Sequence, residues 1–132
     1  QHMKHAQRTT IITSEYTPSE IKGIISQVEI GIGTSYHFLL FCLSQNIPIL
    51  ALHQNHYYQQ KLEGLTGMHG QLRNCHGLEN LGKERLTDLI QTLLDERREI
   101  SNFLIEKNIV LNKIFDEAHH HMLQTIENTH NS

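Results

Sequence analysis

Only two cysteines, Cys42 and Cys75, occur in the 132 residues, and they form no motif. That excludes a disulfide framework and a cysteine-based metal site. It leaves a reducing, cytoplasmic setting as the expectation. Long apolar runs are missing as well. The longest is interrupted within about a dozen residues, whereas a membrane-crossing helix needs about 20. A basic surplus is also absent: the net charge is −3 with the 11 histidines neutral, so nothing in the charge calls for nucleic acid. Carboxylates are scarce in residues 1–70, which hold only Glu15, Glu20, Glu29 and Glu63. Ten more follow between Glu79 and Glu127, as on a solvated helical surface. No secretory leader pattern opens the sequence. The "HM" at His2–Met3 has the form of a cloning remnant, in which case the natural protein is longer.

The hydrophobic content of 38% and charged content of 19% are those of a folded domain. "TTIITSE" (Thr9–Glu15) is β-branched and predicts a first strand. In "TPSE", Thr17 as N-cap, Pro18 at the first helical position and Glu20 three residues on predict a helix start. Ile21, Ile24, Ile25 and Val28 give that helix its apolar side. "VEIGIG" (Val28–Gly33) predicts a short strand and Ser35–Asn46, apolar nearly all round, a buried helix. The continuous apolar run Ile47–Leu52 predicts a strand covered on both faces, with Pro48 near its start. A short helix over Tyr57–Gly67 and a last strand within Leu72–Leu78 follow. From Lys83 the apolar spacing is helical, without Gly or Pro, and predicts one long helix or a pair broken near Ser101–Asn102.

Strands and helices alternating at these lengths imply an α/β fold. The expectation is a small Rossmann-like parallel sheet of 3–4 strands with flanking helices and a long C-terminal helical tail. Residues 1–8 read as an N-terminal tail, 9–82 as the α/β domain and 83–128 as the helix or helix pair packed on it.

In such sheets ligands bind outside the C-terminal ends of strands, and "GTSYH" (Gly33–His37) lies at that place. A helix N-terminus there favours an anion, and Gly33 allows close approach of the backbone. Thr34 and Ser35 offer hydroxyl donors, and His37 a proton or a positive charge. The plain alternative is that Thr34 or Ser35 only caps the helix and His37 fills a turn. "GIGTSY" does not complete a dinucleotide fingerprint, and no acid lies about 20 residues on to hold a ribose. Cys42, inside the apolar helix, reads as a core residue rather than a nucleophile. His119–His121 splay around a helix and predict no metal site. His53 and His56 fall near the rim of the expected cleft.

"GTSYHFLLFCLSQNIPILALHQNHYYQQKLEGL" (Gly33–Leu65) resembles the C-terminal signature of the polysaccharide pyruvyl transferase family, and the likeness extends over roughly residues 9–80. It implies the second of two Rossmann-like domains in a GT-B-like enzyme. Such enzymes transfer a pyruvyl group from phosphoenolpyruvate to a sugar hydroxyl pair in cell-envelope or exopolysaccharide synthesis. On this resemblance His37 is the motif histidine, a general acid or a contact to the donor's anionic groups. Gly33, Thr34 and Ser35 bind the donor, Lys61 is the motif lysine, and Tyr58 rather than Tyr57 is its aromatic neighbour. Ser35 stands where many members have arginine, whose fork suits carboxylate and phosphate better. No cofactor or metal is implied.

The implied partners are an anionic small-molecule donor, a sugar acceptor and an N-terminal domain of a longer chain, without which this chain is inactive. A homodimer remains open, because a domain separated from its partner exposes the former interface. Two other readings stay in view. A GT-B nucleotide-sugar glycosyltransferase shares the fold but holds ribose with a carboxylate, for which Glu63 is the one nearby candidate. A non-catalytic family domain whose helical tail serves assembly would carry an exposed apolar stripe along Leu86–Ile126.

Overall fold

A computed structural model describes residues 17–25 and 27–130. The strand expected at Thr9–Glu15 lies outside the described residues. The first helix, α1 (Pro18–Ile25), begins at the expected capping box. The Glu20 N–H donates to Thr17 Oγ1 at 3.2 Å, and the Thr17 N–H donates back to Glu20 Oε1 at 3.3 Å. Two otherwise orphaned donors are thereby satisfied.

Strand β1 (Gly31–Gly33) is followed by helix α2 (Tyr36–Ser44), strand β2 (Ile49–His53), helix α3 (His56–Met68) and strand β3 (Cys75–Gly77). The long helix α4 (Lys83–His130) completes the chain order. The three strands form one parallel sheet in the order β1-β2-β3, with Gly31 paired to Ile49 and Ala51 to Cys75. β1 is shorter than the predicted Val28–Gly33, and β3 is confined to three residues between two short 3-10 turns. Pro48 sits just before β2, where its missing N–H interrupts no ladder, and its carbonyl accepts from Gly31 N–H at 2.9 Å.

Ile49, Leu50, Ala51 and Leu52 are all buried, so β2 is covered on both faces, as its unbroken apolar run predicts. α2, α3 and α4 all pack against β2. Leu39, Cys42 and Leu43 of α2, Leu62 and Leu65 of α3, and Leu93, Ile100 and Leu104 of α4 close one core around it.

Both crossover helices end in the same way. Asn46 takes a left-handed φ of 63° after α2, and Gly70 a φ of 70° after α3. In each case the next residue donates back five positions: Ile47 to Cys42 O at 2.9 Å and Gln71 to Thr66 O at 2.6 Å. These are Schellman ends, which turn the chain sharply into the following strand or turn. Asn108 of α4 reads the first of them. Its side-chain amide donates to Leu43 O and to Asn46 Oδ1, both at 2.8 Å.

α4 is one continuous helix of 48 residues, about 72 Å long, with no break at Ser101–Asn102. Neither residue is a helix breaker, and buried Ile100 and Leu104 on either side hold that turn against the core.

Cys42 is fully buried, and burial pushes its thiol up to about 11. An unperturbed thiol titrates near about 8.5, so the unfolded chain releases this proton first as pH rises. Raising the pH from that value toward 11 therefore favours the unfolded chain. Alkaline destabilisation is expected to be smaller in Cys42→Ala than in the parent, read as the change in denaturation midpoint between neutral and alkaline buffer. An equal loss in both proteins contradicts a neutral, buried thiol.

Candidate functional site

Because β1 and β2 run parallel, the turns leaving them lie at the same edge of the sheet. The first is Thr34–Ser35. Ser35 is extended (φ −85°, ψ 123°) and its Oγ accepts from the Phe38 N–H at 3.4 Å, so it is the N-cap of α2. The second is Gln54–Asn55. Asn55 is likewise extended, and its Oδ1 accepts from the Tyr58 N–H at 3.0 Å, capping α3. The first turns of two helices, whose leading N–H groups have no partner within the helix, thus begin side by side.

Between them lies a cleft of about 460 Å³. Thr34, Ser35, Tyr36 and His37 line one side, and Leu52, His53, Gln54 and Asn55 the other. Tyr58 and Lys61 of α3 complete it. Five of the six residues singled out in the sequence, Thr34, Ser35, His37, Tyr58 and Lys61, therefore share one cavity. Gly33 is not among the lining residues. A Cβ at Gly33 would meet the Phe38 ring at 3.3 Å, so its small size serves the packing of α2 on β1.

Lys61 does not lie loose on the surface. Its Nζ is 5.5 Å from the centroid of the Tyr36 ring and 5.2 Å from that of Tyr57. Cation–π attraction at an exposed site is worth about 0.5–1 kcal/mol, enough to bias the ammonium toward this place. Tyr36 in turn meets His37 edge-on at 5.7 Å, and Tyr57 meets Tyr58 edge-on at 5.4 Å. Tyr57 thus orients the lysine while Tyr58 faces the cleft. The sequence reading did not single out Tyr36 or Asn55. The signal for Asn55 was present, since an Asn just before an apolar-periodic run is a preferred cap. The Tyr36–Lys61 contact had no sequence signal, because it arises only when α2 and α3 pack side by side.

The electrostatic character is one-sided. Among the described residues no carboxylate lines the cleft, while Lys61, two imidazoles and two helix N-termini border it. Glu63 lies instead in a neighbouring depression with His56, His76 and Glu79, across the Gln54–Asn55 turn. Ser35, although its oxygen caps α2, keeps its own proton to donate. The arrangement suits a small anion with several acceptor oxygens.

Among the described residues no group of three or more His, Cys, Asp or Glu is placed to hold a metal ion. His119–His121 are exposed along α4, and His120 Nε2 lies 3.2 Å from Gln124 Nε2. No helix among the described residues is long and apolar enough to cross a membrane.

No curated protein and no solved structure matches the chain. A family model does: the one described as polysaccharide pyruvyl transferase matches residues 2–56. The matched segment contains β1, Thr34–His37, α2 and β2, and stops short of Tyr58 and Lys61. Through this segment, which carries both turns that border the cleft, the chain is similar to the polysaccharide pyruvyl transferase family.

Proposed function

We propose that the cleft between the β1 and β2 ends binds phosphoenolpyruvate. In this reading the chain is the C-terminal, GT-B-like donor-binding part of a pyruvyl transferase acting on cell-envelope or exopolysaccharide sugars in the cytoplasm. The observation that carries the reading is the convergence of Lys61, His37 and the N-termini of α2 and α3 on a cavity that no carboxylate among the described residues lines. Phosphate and carboxylate bear the donor's negative charge, and both are accepted by backbone N–H groups, hydroxyls and an ammonium.

Ketal formation joins two sugar oxygens to C2 of the enolpyruvyl group. C3 takes a proton to become a methyl group, the C2–O bond to phosphate breaks, and inorganic phosphate leaves. His37 is the residue in reach to give that proton or to hold the leaving phosphate, and Lys61 offsets its charge. The acceptor sugar approaches from the open side, where the N-terminal domain of the full enzyme would face this one. The chain alone is therefore inactive in turnover while still binding the donor. A nucleotide-sugar donor is disfavoured because no acid among the described residues lines the cleft to hold a ribose.

Calorimetric titration of phosphoenolpyruvate into the chain tests this. Saturable binding is expected, weakened at least about ten-fold by Lys61→Met and by His37→Ala, with Lys61→Arg retaining most of it. Binding untouched by these substitutions, or no saturable binding, overturns the assignment. Nucleotide-sugar binding in its place supports glycosyl transfer.

A further inference from the structure

A second depression opens at the same edge of the sheet, between the ends of β2 and β3, where His53 pairs with Gly77. Its volume is about 460 Å³. Small-molecule sites span about 300–1,000 Å³, and parallel sheets bind ligands at this edge. His53, Gln54 and Asn55 belong to the lining of both cavities, so the cleft and the depression share one wall.

The chemistry on the two sides of that wall is opposite. Among the described residues the cleft is lined by Lys61 and no carboxylate, the depression by Glu63 and Glu79 and no lysine or arginine. Two carboxylates repel an anion. An apolar ligand would strip them of water and return no hydrogen bond. A metal ion is not the match either, since no group of three His, Cys, Asp or Glu among the described residues is placed to hold one. An ammonium ion would answer the carboxylates but leave the amides of Gln54, Asn55, Gln59 and Asn80 idle.

A neutral ligand rich in hydroxyls uses all of these groups. Each hydroxyl donates to a carboxylate or amide oxygen and accepts from an amide N–H. Gln59 Nε2 donates to Glu63 Oε1 at 2.9 Å, which steadies that carboxylate and leaves its other oxygen to accept. Asn55 spends its Oδ1 on the cap of α3 and keeps its amide protons to donate. His76 belongs to the same lining, and its buried Nε2 has no hydrogen-bond partner among the described residues. An unpaired ring nitrogen is costly, and a ligand hydroxyl can pair with it after a small turn of the ring.

We propose that this depression binds a neutral sugar unit of the acceptor, beside the donor. The preference for a sugar follows from the depression's own side chains. That the sugar is the acceptor rests on the function proposed above.

NMR of the isotope-labelled chain during titration with the methyl glycosides of glucose, galactose and mannose tests the proposal. At least one of them is expected to give saturable shifts at Gln59, Glu63, Gly77 and Asn80. Gln59→Ala and Glu79→Ala are each expected to weaken that binding about ten-fold. Glu117→Ala, the same loss of charge far along α4, is expected to leave it unchanged. A parallel titration with phosphoenolpyruvate keeps the two assignments apart. Sugar binding in the depression without phosphoenolpyruvate binding in the cleft removes the donor reading and leaves this site standing, and the reverse removes this site alone. No saturable shift with any of the three glycosides overturns the proposal. Shifts gathered at the cleft, or binding indifferent to both Gln59→Ala and Glu79→Ala, overturn it equally.

Discussion

Leu104→Ala is expected to destabilise the fold by about 2–5 kcal/mol, the range for a large aliphatic side chain removed from a packed core. Leu104 is fully buried, although it lies 21 positions into a helix that the sequence presents as a tail. It closes the core with Leu62 of α3 and the β2 residues Ile49–Leu52. Few neighbours can collapse into the space, because the strand side is rigid and the helix is fixed by Asn108 four residues on. Ile109, one turn further and 65% exposed, supplies the control. Ile109→Ala is expected to stay within about 0.5 kcal/mol of the parent. Chemical denaturation of both variants checks the pair. Equal, small effects would mean that α4 is an appendage rather than part of the core.

Gly31→Ala is expected to destabilise by about 1–3 kcal/mol through overpacking alone. The φ of Gly31 is not in the left-handed region, so an alanine has no backbone strain to meet there. Its Cβ would instead lie 2.6 Å from Cys42 Sγ and 3.4 Å from the Phe38 ring, all within the β1–α2 contact. Cys42 is fully buried. The prediction is therefore specific to a pair: Gly31→Ala in a Cys42→Ala background is expected to recover much of the loss. Coupling between residues in contact falls in the range of about 0.5–3 kcal/mol, which a double-mutant cycle resolves. Additive effects would contradict the close approach. Since β1 and α2 carry Thr34–His37, the single substitution is also expected to weaken ligand binding at the cleft.

The sequence disclosed the fold where local chemistry decides the backbone. Thr17 and Glu20 announce α1, Ser35 announces α2, and the unbroken run at Ile49–Leu52 announces a strand covered on both sides. The parallel sheet and the long helix follow from alternation and from the lack of Gly and Pro after Lys83. Features set by tertiary contact were not legible. The short β1 reflects pairing with only three residues of β2, and nothing in Val28–Ile30 signals that limit. The left-handed Asn46 is stabilised by Asn108, 62 positions away. A break at Ser101–Asn102 looked open because two polar residues interrupt the apolar pattern. The burial of Ile100 and Leu104 shows why the helix runs through.

For the cleft, the residue types were readable but not their company. The sequence named Lys61 but not its place against the Tyr36 and Tyr57 rings, in the same cavity as His37. At Gly33 the close neighbour is the Phe38 ring, a contact with no sequence signal. Ser35 meets the plain reading, as a cap, and still faces the cavity.

The central claim is that two helix N-termini and Lys61 form one anion site. Backbone amide shifts of the isotope-labelled chain, followed by NMR during titration with phosphoenolpyruvate, test it most directly. The account predicts saturable shifts with a single affinity at Tyr36 and His37 and, together with them, at His56, Tyr57 and Tyr58. The Lys61→Met variant is expected to lose the shifts at both helix starts. Shifts confined to the exposed histidines of α4, or movement at one helix start without the other, would contradict a shared site.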